Sequence, residues 1–245
     1  MTGERIAVEI RDPARDLDLE QLAVRCGLAR LVASRAEASV DLVLRRDDRG
    51  LLLNARLPGG MSIVRAAMLA PRASVGRHSS LLARAVGGAR EDLVVDATCG
   101  LGRDALELAA LGYRVQAYER HPVLAFLLRD ALATTAPIEL HEADAIDALA
   151  TRPAHSVHAV CLDPMFPARS KSARVKKEAE VLRILVPREP DLDALFAVAW
   201  RTARRVVVKR PRHAAALREP VDFTVAGRAL RFDVYLTQGR PLPPA

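Results

Sequence analysis

From residue 93 onward the chain alternates short β-branched runs with longer stretches that are apolar at every third or fourth position. Strands are predicted at 93–96, 114–118, near 137–140, 157–162 and 204–209, and helices at 103–111, 121–133 and about 191–203. Helices that intervene between strands imply parallel pairing in a doubly wound sheet, with ligands over the carboxyl ends of the strands. Residues 221–225 and 230–236 flank Gly227 as a hairpin, so the last strand is expected to run antiparallel.

The first quarter of the chain reads differently. Residues 6–10 alternate like a short strand, and 16–27 place Leu19, Leu22, Ala23 and Cys26 at helical spacing between an Asp and a Gly. Residues 40–44 and 51–57 read as a hairpin around Asp47, Asp48 and Gly50. Pro58, Gly59 and Gly60 then mark a joint, with helices expected at 62–69 and 79–86. We therefore divide the chain into a small α+β cap at 1–57, a helical connection at 58–90 and an α/β domain at 91–245.

Composition narrows the class. With 245 residues, 50% hydrophobic and 27% charged, the chain has the make-up of a globular protein. A net charge of +7 suits a polyanionic partner, although an arginine-rich composition alone also produces it. Three scattered cysteines, Cys26, Cys99 and Cys161, are too few for a disulfide framework or a zinc site, so we expect a reducing compartment and no metal. No apolar leader opens the sequence and no apolar run approaches about 18 residues, which points to the cytoplasm and away from a membrane.

Residues 93–104, LVVDATCGLGRD, carry the first chemical signal. A strand meets a loop with Gly100 and Gly102, then a helix opening with Arg103 and Asp104. Glycines let a flat ligand lie against the main chain, and with Ala105 the spacing fits a dinucleotide fingerprint. The charges argue for another ligand. Asp96 at the strand tip and Asp104 in the first helical turn would repel a pyrophosphate but attract a cation, and S-adenosylmethionine (SAM) carries cationic sulfonium and ammonium groups. Glu119 follows the next strand about 20 residues after the glycines, where an acid can accept hydrogen bonds from ribose hydroxyls. Asp96 and Asp104 can also act as simple caps.

The strand at 157–162 runs into Asp163, Pro164, Met165 and Phe166. A D-P-x-F turn at a strand's carboxyl end has the form used to methylate an exocyclic amine on a planar base. Such a nitrogen is a poor nucleophile because its lone pair is delocalised into the ring. Hydrogen bonds to the Asp163 carboxylate and the Pro164 carbonyl would aim that lone pair, and Phe166 would stack on the ring. Basic residues follow, among them Arg169, Lys171, Arg174, Lys176 and Lys177. Lys209, Arg210 and Arg212 end another strand on the same rim. Together they are expected to meet RNA phosphates; Arg72, Arg77 and His78 are also free to meet an anion, but a solvated surface accounts for them better.

These runs resemble the bacterial small-subunit ribosomal RNA guanine-N2 methyltransferases of the J type. The resemblance lies in DATCGLGRDALELAALGYRV, YERHPVLAFLLRDAL, LDPMFPARSKSARVKKE, RVVVKRP and RFDVY, across roughly residues 90–237 in the family's order. It implies a class I SAM-dependent methyltransferase fold, Rossmann-like and mostly parallel with one antiparallel strand. It implies methylation of one guanosine amine in small-subunit ribosomal RNA, on free RNA or on the small ribosomal subunit. The family's cofactor contacts fall on Arg103, Asp104, Glu119, Arg120, Asp163 and the pair Asp144 and Ala145, where relatives can have two serines. An acid at 144 can still accept from an adenine amino group. The rival readings are an amino-methyltransferase acting on another base, an NAD-dependent oxidoreductase and a non-catalytic RNA-binding assembly factor.

Overall fold

The computed structural model describes residues 6–31, 40–57, 60–66, 80–132, 138–164, 180–186 and 191–244. The N-terminal part contains β1 (Ile6–Glu9), α1 (Leu17–Cys26), β2 (Ala29–Leu31), β3 (Leu42–Asp47), β4 (Gly50–Leu57) and β5 (Gly60–Val64). They form a five-stranded sheet in the order β2-β1-β3-β4-β5. β1 lies parallel to β2 and β3, while β3, β4 and β5 run antiparallel in turn. α1 buries Leu19, Leu22 and Ala23 and stops at Gly27, whose left-handed backbone returns its N–H to the Ala23 and Val24 carbonyls.

β5 corrects the expected helix at 62–69. Ser62 and Val64 are buried while Met61 and Ile63 are exposed, the period of two that pairing along β4 imposes. The apolar spacing here fits both periods, and a neighbouring strand decides between them. Residues 67–69 of that expectation lie outside the described residues. β2, with three residues, went unread because so short a segment holds no period.

The larger unit follows the predicted alternation closely. In order come α2 (Leu81–Val86), β6 (Leu93–Asp96), α3 (Arg103–Ala110), β7 (Arg114–Tyr118), α4 (Pro122–Leu132) and β8 (Ile138–His141). Then follow α5 (Ala145–Ala150), β9 (Val157–Leu162), α6 (Leu192–Thr202), β10 (Ala203–Pro211), β11 (Phe223–Ala226) and β12 (Leu230–Leu236). Their seven strands are ordered β11-β12-β10-β9-β6-β7-β8. β8, β7, β6, β9 and β10 are parallel. β12 runs antiparallel between β10 and β11, as the hairpin predicted.

Alternate residues of the central strands feed two cores. Val94, Ala159, Cys161 and Val207 pack toward α3, α4 and the N-terminal sheet. Val95, Val160, Val206 and Val208 pack toward α5 and α6, against Phe196 and Trp200. Burial on both faces explains why these strands read as continuous apolar runs. Chain order reverses between β6 and β9, which opens the crevice where sheets of this kind hold ligands.

The small sheet is fastened to this unit through Asp130 near the end of α4. One carboxylate oxygen accepts from the Leu51 amide at 3.0 Å and the other from Arg46 at 2.8 Å. Arg46 also reaches Asp18 on α1 at 2.6 Å. A side chain at Gly50 would place its Cβ 2.9 Å from this carboxylate, so the backbone passes close for a reason. Asp130→Ala leaves a buried amide and a half-buried guanidinium without this acceptor and is expected to lower stability by about 1–3 kcal/mol in urea unfolding. An unchanged unfolding midpoint would contradict the fastening role.

Candidate active site

A cavity of about 290 Å³ lies over the carboxyl ends of β6, β7, β9 and β10. Asp96, Gly100, Arg103, Asp104, Glu119, Arg120, Asp144, Ala145, Asp163, Pro164 and Lys209 line it, so the acids singled out in the sequence do converge. Tyr118, Leu124, Leu182, Val186 and Leu195 add apolar wall.

The loop after β6 is stitched to its neighbours through the backbone. Ala97 N–H donates to the Cys161 carbonyl at 3.0 Å, and Cys99 N–H donates to the Tyr118 carbonyl at 3.1 Å. Gly100 (φ 56°) presents its N–H to Glu119 at 2.9 Å. Gly102 (φ 80°) begins α3, and a Cβ there would stand 2.6 Å from Leu128 Cδ2. Both turns therefore use backbone angles that favour glycine, and the second also needs its small size.

Glu119, 7% exposed, accepts from Gly100 N–H and, at 2.7 Å, from His121 N–H. Each carboxylate oxygen has a further lone pair for a ligand hydroxyl. Asp144 caps α5 by accepting from Ile146 N–H at 2.9 Å, and Arg120 lies 3.7 Å from it. α5 itself was not predicted, being a short helix marked only by that cap. The Asp163 amide donates to Thr98 Oγ1 at 2.7 Å, while Thr98 N–H donates to Asp96 at 3.2 Å. Thr98 therefore ties the tip of β6 to the tip of β9, a role that sequence reading missed although the residue stands inside the glycine loop.

The two strand-end cations correct an expectation. Lys209 was expected at RNA phosphates, yet its Nζ sits 2.9 and 3.1 Å from the Asp104 oxygens and 2.9 Å from Asp163. Alignment of Val208 with Leu162 across β10 and β9 places Lys209 beside Asp163. Arg210 is buried and donates to the Ala215 carbonyl. Both are turned into the protein by local acceptors. Met165, Phe166, Arg169, Lys171, Arg174, Lys176 and Lys177 lie outside the described residues, as do Arg72, Arg77 and His78.

The family model for SAM-dependent methyltransferases matches residues 32–237. Ribosomal RNA small subunit methyltransferase J of Dechloromonas aromatica is 40% identical, the match covering 82% of this chain and 89% of that protein. The protein of the same name from Laribacter hongkongensis is 48% identical over 67% of this chain and 62% of its own length. This chain belongs to that methyltransferase family. A solved SAM-dependent methyltransferase from Neisseria gonorrhoeae has a TM-score of 0.68 at 28% identity, covering 96% of this chain and 97% of that one. The expected fold class is thus met, and the cofactor of the family is SAM.

The residues present fit that cofactor. Asp96, Asp104, Glu119, Asp144 and Asp163 surround a cavity that also has apolar wall, a donor set suited to a cation joined to a flat heterocycle. Crowding of acids has a measurable cost in the free protein. Burial, then the nearby Asp104, pushes the Asp96 carboxyl up to about 7. Burial pushes Glu119 up to about 6 against the pull of the His121 and Gly100 amides. Burial works against the charge of Lys209, but Asp163 and Asp104 outweigh it and raise its pKa.

A carboxyl whose folded pKa exceeds its unfolded value favours folding while protonated and loses that contribution as pH rises through the folded value. For Asp96 the window runs from the ordinary value of 3.8 up to about 7. The ligand-free protein is expected to lose stability between about pH 4 and about pH 7, with Asp96 contributing up to about 4 kcal/mol of that loss. Asp96→Asn should flatten the melting temperature across this range. A variant that keeps the wild-type slope would show that Asp96 is not the strained acid.

Proposed function

We propose that this protein transfers the methyl group of SAM to the exocyclic N2 amine of one guanosine in small-subunit ribosomal RNA, in the cytoplasm. The observation that supports this reading best is the Asp163-Pro164 turn at the tip of β9. It opens on the same cavity as Asp96, Asp104 and Glu119, so an amine positioned there faces the cofactor's site. When bound, SAM supplies an electrophilic methyl on its sulfonium.

The chain's own residues then do three things. Glu119 accepts from the ribose hydroxyls, Asp144 with Ala145 meets the adenine edge, and Arg103 and Asp104 take the amino-acid end. Asp163 and the Pro164 carbonyl accept the amine's N–H groups. That draws the lone pair out of conjugation and faces a carboxylate toward the positive charge that develops on nitrogen. Phe166, two residues on, stacks against the base. The nitrogen would take the methyl as its bond to sulfur breaks, leaving a neutral thioether on the spent cofactor, and would give up one proton to water; no covalent enzyme intermediate is required. Arg169, Lys171, Lys176 and Lys177 hold the RNA backbone, a role that Lys209 and Arg210 do not share.

Nucleoside mass spectrometry of small-subunit ribosomal RNA from a strain lacking this gene tests the reading. N2-methylguanosine should fall and return on complementation; an unchanged level contradicts it. Glu119→Ala should weaken SAM binding in calorimetry by about 1–3 kcal/mol with the fold intact, because a charged acceptor is lost. Unchanged affinity would remove Glu119 from the site. Changing Lys176 and Lys177 together to Ala should flatten the salt dependence of RNA binding by up to about two charges' worth of slope while SAM affinity holds. An unaltered slope would return both lysines to bulk solvent.

A further inference from the structure

Three carboxylates meet at the strand tips, each from a different element: Asp96 ends β6, Asp104 opens α3 and Asp163 follows β9. Lys209 on β10 enters between two of them, its Nζ 2.9 Å from Asp104 and 2.9 Å from Asp163. The lysine side chain is 23% exposed and Asp104 20%, whereas Asp163 at 44% still faces the cavity mouth. One ammonium thus spans a half-buried acid on the cofactor side and an accessible acid on the substrate side.

We propose that Lys209 is a positioning residue of the reaction: its ammonium clamps Asp163 against the Asp104 side of the pocket and keeps that carboxylate an anion aimed at the entering amine. The clamp rests on the reading of Asp163 as the amine's acceptor. Two constraints make it necessary. The Asp163 backbone is fixed by a hydrogen bond from its amide to Thr98, but that bond leaves the side chain free to rotate, so the carboxylate needs its own tether, and Lys209 Nζ supplies one at 2.9 Å. A carboxylate close to Asp96 and Asp104 also tends to take up a proton, and a protonated acid cannot accept from both amine hydrogens. The protein packed around Asp163 pushes its carboxyl up, Lys209 pulls it down and Asp104 raises it again. Among the described residues, the charged groups facing Asp163 are therefore Lys209, Asp104 and Asp96.

A lysine that served the cofactor would behave oppositely to one that serves Asp163. SAM is a net cation, so removing a positive charge from its pocket does not weaken its attraction. Removing the clamp slows transfer. The test uses purified full-length protein with deproteinised small-subunit RNA from a deletion strain, comparing wild type, Lys209→Gln and Lys209→Arg. SAM affinity is measured by calorimetry, and methyl transfer by single turnover at saturating SAM across pH.

For Lys209→Gln we expect SAM affinity within about threefold of wild type or tighter, transfer at neutral pH slower by at least about tenfold, and an acid limb moved up by about one unit. Lys209→Arg should return the limb to its wild-type position. In an Asp96→Asn background the displacement should persist, because Lys209 hydrogen-bonds Asp163 directly. A wild-type transfer rate with an unmoved limb overturns the clamp. So does weakened SAM binding with a normal rate at saturation, which would make Lys209 a cofactor residue. Should the glutamine variant not fold, the arginine variant decides: a wild-type limb supports the clamp and a displaced one overturns it. Identifying the methylated nucleoside in the same reactions separates the two ideas. Transfer to an adenine amine would overturn the guanosine reading, while the Lys209 comparison would still stand or fall on its own rates.

Discussion

Like charges held close together in a low-dielectric crevice are the constraint on which this molecule turns. Asp96, Asp104 and Asp163 come to one place because parallel strands β6 and β9 end side by side and α3 starts from the loop between β6 and β7. Three mutually repelling carboxylates do not persist there without a cation. The protein supplies one, Lys209, and leaves Asp96 to be relieved by protonation or by a cationic ligand. The site is thus built incomplete. Under the function proposed above, the charge that completes it is the cofactor's.

The rest of the fold serves to keep that crowding in place. Backbone hydrogen bonds from Ala97 and Cys99 anchor the loop to β9 and β7, so the acids cannot move apart to lower their repulsion. Gly100 gives its amide to Glu119, and Gly102 lets α3 begin against Leu128. Fully buried valines on β6, β9 and β10 make the platform rigid on both faces. The N-terminal sheet braces α4 from outside through Asp130, at a distance in sequence from the chemistry.

Much of this was legible in the sequence, for physical reasons that also mark where legibility ends. The large sheet was readable because buried parallel strands need β-branched runs and the helices between them keep a 3.6-residue period. β5 was misread because its few apolar residues satisfy two periods, and only its partner β4 selects one. The convergence of Asp96, Asp104, Glu119 and Asp163 on one cavity was readable because each follows a strand end or opens the helix after the glycine loop, and parallel strands bring those ends together. Lys209 was placed wrongly because it stands in a basic run, and a run of charges does not show which member turns inward. The β9–β10 register does. Thr98 meets a residue 65 positions away, a contact that no local spacing announces.

The central claim is that methyl transfer takes place at the turn after β9. Single-turnover transfer by Asp163→Asn at saturating SAM tests it most directly, since it isolates the chemical step from cofactor binding and product release. The amide keeps the size of the side chain but offers one acceptor oxygen instead of two and no negative charge toward the nitrogen. A rate reduced by at least about tenfold, equivalent to about 1.4 kcal/mol of transition-state stabilisation, is the predicted result. Transfer at the wild-type rate would contradict it and place the reaction centre elsewhere.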